Sequence, residues 1–399
     1  MARPPRSPLA HHFVLDPEVV FLNHGSFGAT PAAVLAHQSV LRGRLEREPV
    51  RFLVKELEGR LDAARAELAA YVGADPRDVV FVPNATTGVN AVLRSLRFEQ
   101  GDELLTTSHA YNACRNALTF AAGRWGARTV VAELPFPVRS EDEIVDAIVR
   151  CTTDRTRLLL LDHVTSPTGL VLPAARIVAA MRDRGVQTLV DGAHAPGMIE
   201  LDVPAIGAEY YTANCHKWTC APKGCAFLWV RRDLQPAIRP TVISHGANDT
   251  RTDRSRFLLE FDWTGTVDPT AFLCVGEALR CVGSYVDGGW QEVRRRNRAL
   301  ALLGRQLLCD ALSTEPPAPE SMIGALAAVR LPDAGSSPRT SHLDMDPLQQ
   351  ALFDRFRIEV PVIAFPASPK RLVRISAHLH NVREEYDYLA ASLRTLMSE

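Results

Sequence analysis

The 399-residue chain has no CxxC pair, no internal repeat, no low-complexity tract and no surplus of charge of either sign. Its 45 basic and 46 acidic residues leave a net charge of −1, so no global field draws it to nucleic acid or to an anionic membrane. Partners are therefore expected to be small molecules or a second copy of the chain. Cysteines number eight (Cys114, Cys151, Cys215, Cys220, Cys225, Cys274, Cys281 and Cys309) and follow no regular framework, which predicts free thiols in a reducing compartment. Cys215, Cys220 and Cys225 lie beside His216, but four intervening residues and no second cluster make poor zinc spacing, so no metal is expected. The amino terminus, MARPPRSPLAHHF, is basic without an apolar run of signal-peptide length, and no segment approaches a membrane span. Together these absences predict a soluble cytoplasmic protein.

What is present is enough apolar sequence, 46% of residues, for one large core and a smaller one. Apolar runs at 79–82, 103–106, 129–134, 158–164, 188–191 and 226–230 alternate with helical stretches near 86–97, 111–124, 141–151 and 174–184. Several runs are nearly continuous, as strands covered on both faces require, and the alternation predicts a three-layer α/β domain. Ahead of it, 19–22 reads as a short strand and Asn23-His24-Gly25-Ser26-Phe27-Gly28 as a loop. Thr30-Pro31 reads as a capping hydroxyl and a first-turn proline, and 50–72 as a helix with Leu53, Leu57, Leu61, Leu68 and Val72 on one stripe. Beyond Pro240, residues 241–266 read as polar and irregular, a functional loop or a subunit contact. Helices near 269–283 and 289–313 follow. A strand at 325–331, a helix near 346–356, strands at 358–365 and 372–376 and a helix from about 382 complete a smaller α+β unit.

Two residues stand out. The apolar run Thr188 to Val190 stops on Asp191 and Gly192, as a buried parallel strand does when it delivers a side chain to its carboxyl end. Lys217 closes a polar, aromatic turn a short excursion later. A fixed carboxylate and a lysine suit pyridoxal phosphate (PLP): the lysine supplies an amine for a Schiff base, and the acid keeps the pyridine ring cationic. A solvated lysine and a capping acid fit the same two residues. Pro83-Asn84-Ala85-Thr86-Thr87-Gly88 follows a strand and opens a helix, where free N–H groups and the helix dipole favour an anion; a simple helix cap fits it equally.

The segments VDGAHA (190–195) and CHKW (215–218), with APKGCAFLWV (221–230) behind them, resemble the cofactor core of the class V aminotransferase family of fold type I PLP enzymes. Within it they are most similar to the isopenicillin N epimerases and related amino-acid lyases. The resemblance implies a mixed, mainly parallel seven-stranded sheet and a homodimer with shared active sites. It also implies an amino-terminal segment, 1–22, over the active site, a large PLP-binding domain, 23–285, and a small carboxyl-terminal domain, 286–399. Carried onto this sequence, it makes Lys217 the Schiff-base lysine and the group that moves the α-proton, and Asp191 the partner of the ring nitrogen. Ala85, Thr86, Asn214 and His216 fall at phosphate-contacting positions, Ser166 and His194 near the ring oxygen, and His109 or Tyr111 on the ring face. Asn23 and Arg374 fall at the substrate carboxylate, which a guanidinium can hold through both oxygens. Thr266 falls where a residue reaches the partner's phosphate.

Desulfurases of this family carry a cysteine on a loop near the carboxyl terminus, and here none follows Cys309. HVTSPTGLVLP (163–173) and VRIS (373–376) are similar to the epimerases, but C–S lyases such as hercynylcysteine sulfoxide lyases share the cofactor residues. The expected activity is therefore epimerase-like abstraction of an amino acid's α-proton. A C–S β-lyase of the sulfoxide lyase or cysteine desulfhydrase type is the alternative, and transamination the third reading. A relative kept as a non-catalytic binding module would have lost the lysine, the acid or the arginine, and all three are present.

Overall fold

The computed structural model describes residues 3–335 and 345–398, so the outer ends of the expected segments 1–22 and 286–399 lie outside the described residues. The chain opens with the strand β1 (Val20–Phe21), the helical turn α1 (His24–Phe27) and the helices α2 (Ala32–Arg47) and α3 (Leu57–Tyr71). Seven strands follow: β2 (Val79–Val82), β3 (Glu103–Thr107), β4 (Arg128–Ala132), β5 (Thr156–Asp162), β6 (Gln187–Asp191), β7 (Tyr210–Asn214) and β8 (Ala226–Val230). Between them run α4 (Ala85–Ser95), α5 (Asn112–Trp125), α6 (Glu141–Arg150), α7 (Ala174–Arg182) and the turn α8 (Val203–Ile206). The strands form one sheet in the order β2-β8-β7-β6-β5-β3-β4, in which β8 runs antiparallel to both neighbours and the other pairings are parallel.

The four leucines of β5 show why continuous apolar strands suit this sheet. Leu159 and Leu161 enter a core on one face, Leu158 and Leu160 a separate core on the other, and all four are fully buried. Each such leucine stabilises the fold by about 1.5–3 kcal/mol relative to its exposed state. Helices cover both faces, which gives the three layers expected.

Helices α9 (Arg256–Asp262), α10 (Thr270–Leu273) and α11 (Val275–Gly283) pack back on β2, α2 and α3. The second unit is built from α12 (Gly289–Leu312), β9 (Leu326–Leu331), α13 (Pro347–Phe356), β10 (Ile358–Glu359), β11 (Val362–Ala364), β12 (Arg371–Ser376) and α14 (Arg383–Met397). Its antiparallel sheet, β11-β12-β9, packs on α12, and α12 packs on α14. β1 pairs in parallel with β10, so the start of the chain is a strand partner of this carboxyl-terminal unit.

Several expectations need correction. The Thr30 hydroxyl donates to the Ala221 carbonyl instead of capping α2, and Pro31 is the N-cap. The helix expected over 50–72 starts with a π-helical stretch, Arg51–Glu56, before α3. The loop expected at Asn23–Gly28 contains the turn α1, and α9 lies inside the stretch expected to be irregular. The strand expected over 358–365 is split into β10 and β11 around Pro361, whose missing N–H cannot serve a ladder. β7 was not foreseen: its YYTAN sequence carries little aliphatic signal, although all five residues are buried.

Candidate active site

Strands β5, β6 and β7 end side by side, with Asp162 paired in register with Asp191, and Asp191 with Thr212. Above these ends lies a cavity of about 490 Å³, closed by the amino terminus of α4, the turn after β3 and the loop that carries Lys217. The α4 terminus is held from two sides. The Asn84 side chain accepts the Thr87 N–H at 2.8 Å, and Asn214 Oδ1 accepts the Ala85 N–H at 2.9 Å, which docks the helix onto β7. The dipole there favours an anion.

Lys217 Nζ lies 3.2 Å from His194 Nε2. The Trp218 indole N–H donates to His194 Nδ1 at 3.3 Å, which assigns the imidazole proton to Nε2 and turns it toward the amine. A neutral lysine accepts that proton's hydrogen bond and a charged one does not. Burial, and then the charge of Arg374, lower the Lys217 pKa from 10.5 to about 8, in the same direction. Burial also drives His194 well below the usual imidazole range.

Asp191 is buried and pushed up by desolvation, against which stand the Cys114 Sγ–H at 3.0 Å, the Ala193 N–H at 3.0 Å and the Lys217 charge. Its neighbour Asp162 rises further, from burial and from the Asp191 charge. Asp162 Oδ2 accepts the Tyr111 N–H at 3.1 Å, while its buried Oδ1 has no hydrogen-bond partner. Across the cavity, Arg374 Nη1 donates to the Ser166 carbonyl at 2.6 Å and Nη2 to Ser26 Oγ at 3.1 Å. Its Nε–H is buried and has no hydrogen-bond partner.

The expected residues Ala85, Thr86, Tyr111, Ser166, Asp191, His194, Asn214, His216 and Lys217 all line the cavity, and Arg374 lies directly behind Ser166 and Ser26. Of the two ring-face candidates, Tyr111 is on the wall, whereas His109 is fully buried, 2.9 Å from Thr168 Oγ1 and edge-on to Phe136 and Phe365. Asn23 is turned away: its amide donates to Glu359 at 3.0 Å and accepts from Ser26, so Ser26 and Phe27 form the wall in its place. Thr266 is exposed and lies off this wall. Asp162, Cys114 and Ser26 were not foreseen as site residues. Asp162 carried the same signal as Asp191, an acid ending an apolar strand, whereas Cys114 and Ser26 carried none. Among the described residues, Cys215, Cys220 and Cys225 form no candidate metal group, but the buried His24, His378 and His380 bring ring nitrogens within 4.8 Å of one another.

A lysine, paired acids and a helix terminus at the carboxyl edge of a mixed, mainly parallel sheet define an α/β enzyme of fold type I. The sequence profile of the family "Aminotransferase class-V" matches residues 35–315. The chain belongs to this family. It is 38% identical over 396 residues to an isopenicillin N epimerase of Amycolatopsis lactamdurans, covering 96% of each protein. It is 32% identical to a probable chloroplastic L-cysteine desulfhydrase of Arabidopsis thaliana, covering 98% of this chain and 85% of that protein. Among solved structures, a mutant of C-DES with glycine covalently linked to its PLP cofactor superposes with a TM-score of 0.78 at 24% identity, covering 97% of this chain and 99% of that one.

Proposed function

We propose that the chain is a PLP-dependent enzyme that removes the α-proton of an amino acid and returns it, an epimerase-type reaction. The observation that carries this reading is Lys217, a buried amine beside paired carboxylates, with a buried arginine across one cavity. The orphaned Asp162 Oδ1 on the cavity wall, with Arg374 Nε behind Ser166 and Ser26, fits a site made for a bound group. PLP, when bound, supplies an electron sink for the α-carbon's negative charge. Asp191 would hold the ring nitrogen, the amino terminus of α4 with Ala85, Thr86, Asn214 and His216 the phosphate, and Ser166 and His194 the ring oxygen. Tyr111 would cover the ring face. Arg374 binds the amino acid's carboxylate, with Asn23 acting through Ser26, and Lys217 holds or moves the proton at Cα. Asp162 and Asp191 are buried acids whose charge a cationic ring compensates.

The protein is further proposed to be a homodimer in which Thr266 approaches the partner's site, and to act in the cytoplasm; among the described residues no helix is long and apolar enough to cross a membrane. A C–S β-lyase is the second reading, favoured by the likeness to the desulfhydrase.

The test is the visible absorption of the purified protein with PLP, followed by an amino-acid panel in deuterated water. A band lost in Lys217→Ala, with deuterium entering Cα in both configurations, is the expected result. Pyruvate with a released thiol makes the protein a lyase, and no band after PLP addition overturns the cofactor reading.

A further inference from the structure

The turn α1 ties together the two cationic groups of the site. At its start, His24 Nε2–H donates to the Lys217 carbonyl at 3.1 Å. Near its end, Ser26 Oγ accepts from Arg374 Nη2 at 3.1 Å and donates to Asn23 Oδ1 at 2.5 Å. The Gly25 N–H donates to Ser376 Oγ at 2.9 Å, two residues beyond Arg374 on β12. Gly28, at φ +72°, lies so close to the lysine loop that a Cβ there would overlap the His216 carbonyl. A segment of six residues is thus bonded both to the lysine backbone and to the strand that bears the arginine.

His24 is fully buried, and its hydrogen bonds have a direction. Because Nε2 donates to a carbonyl, Nδ1 is the acceptor of the neutral ring, and His380 Nε2 lies 3.2 Å from it. Burial lowers the pKa of His24, His378 and His380 alike, so all three stay neutral. A metal ion is the competing occupant of this cluster. It would have to lie near both ring planes at about 2.0–2.1 Å from each nitrogen. His24 and His378 instead stack with centroids 4.2 Å apart and planes 11° from parallel, and near-parallel planes share no such point.

We propose that His24 is a positioning residue for Lys217: by holding the lysine's carbonyl from a turn that also holds Arg374, it sets the distance between the proton-transferring amine and the substrate carboxylate. The inference rests on the proposed PLP reaction. A misplacement of about 1 Å costs up to 10²-fold in rate, so the loss belongs in kcat more than in KM.

The test compares His24→Phe, which keeps a flat ring without a donor, with His24→Gln, whose amide reaches the place of Nε2, both in the PLP-loaded enzyme. His24→Phe is expected to lower kcat about tenfold or more with a smaller change in KM. It should also shift the pH midpoint of the bound cofactor's visible absorption by about half a unit or more, with His24→Gln recovering most of both. A kcat within about twofold of the parent and an unmoved midpoint in His24→Phe would overturn the proposal. So would a His24→Gln variant as impaired as His24→Phe, since packing alone would then explain the loss. If His24→Phe does not fold, His24→Asn replaces it: its shorter amide cannot reach the carbonyl, and equal behaviour of Asn and Gln overturns the idea. Stoichiometric metal in the parent, lost in His380→Ala, would also overturn it. A parent protein without any cofactor band fails the reading of function instead.

Discussion

Lys217 keeps its amine where the uncharged form is favoured. Burial first, and then the charge of Arg374, lower its pKa from 10.5 to about 8, and it faces the His194 N–H. At pH 7.5 about a quarter of such amines are neutral, against about one in a thousand at the ordinary value. The rate at which the apoprotein takes up PLP should therefore rise between about pH 7 and 9 and level off above it. A rate still climbing toward pH 10.5 would show that burial does not act on this amine. The same shift sets the sign of a stability effect. Between about 8 and 10.5 the unfolded chain holds a proton that the folded apoprotein has released, so this group's contribution to stability rises with pH through that window and its cost is full below it. Asp191→Ala is the complementary change at this scale. It removes the proposed partner of the ring nitrogen while leaving β6 paired on both sides, so turnover should fall by orders of magnitude and the melting temperature by little. A comparable collapse of stability would make Asp191 structural. At this scale the sequence was only partly legible. Lys217 and Asp191 were marked by the turn and the strand end that present them, but the hydrogen bonds of Ser26 and Cys114 join residues far apart in the chain, and no local pattern encodes those meetings.

The helix α4 shows how an element places a site. Its terminus can hold an anion only while α4 stays seated on β7, and the seat depends on Gly88, whose Cβ would overlap the Thr212 side chain. That threonine's hydroxyl donates to the Phe227 carbonyl at 2.8 Å, so it has little freedom to withdraw. Gly88→Ala should destabilise the protein by about 1–3 kcal/mol and weaken PLP binding as the Ala85–Asn214 bond opens. Gly43→Ala is the control: in α2 a Cβ meets nothing, and the change should stabilise by about 0.5–1 kcal/mol. Melting curves with and without PLP separate the two, and equal shifts would show that the α4 seat is not tight. Elements were legible where burial is aliphatic and two-sided, as in β5. They were not where strand residues are buried but polar: in β7, Thr212 and Asn214 are spent on bonds to other elements, so their presence lowers the strand signal while raising the structural need.

At the scale of the whole molecule, an uncovered apolar region lies beside a groove. Val242, Ile243 and Val267 are more than half exposed, and a groove of about 410 Å³ beside them is lined by Phe81, Trp263 and Phe272. Thr87 lines both this groove and the candidate active-site cavity, so whatever covers the groove also borders that cavity. Apolar patches of this kind mark interfaces, and a second copy of the chain is the occupant that fits the proposed homodimer. The sequence hinted at it only by the polar, irregular character of 241–266, because the apolar side chains gather from α3, β2, α10 and the stretch around 242–267 after folding. The double variant Ile243→Asp and Val267→Asp buries two carboxylates in such an interface without touching the cavity wall. Sedimentation should find the parent as a dimer and the variant as a monomer, with PLP binding weakened by roughly tenfold or more as Thr266 of each copy withdraws from its neighbour's site. A variant monomer that binds PLP as tightly as the parent would show that each subunit's site is complete by itself, and a monomeric parent would remove the shared site altogether.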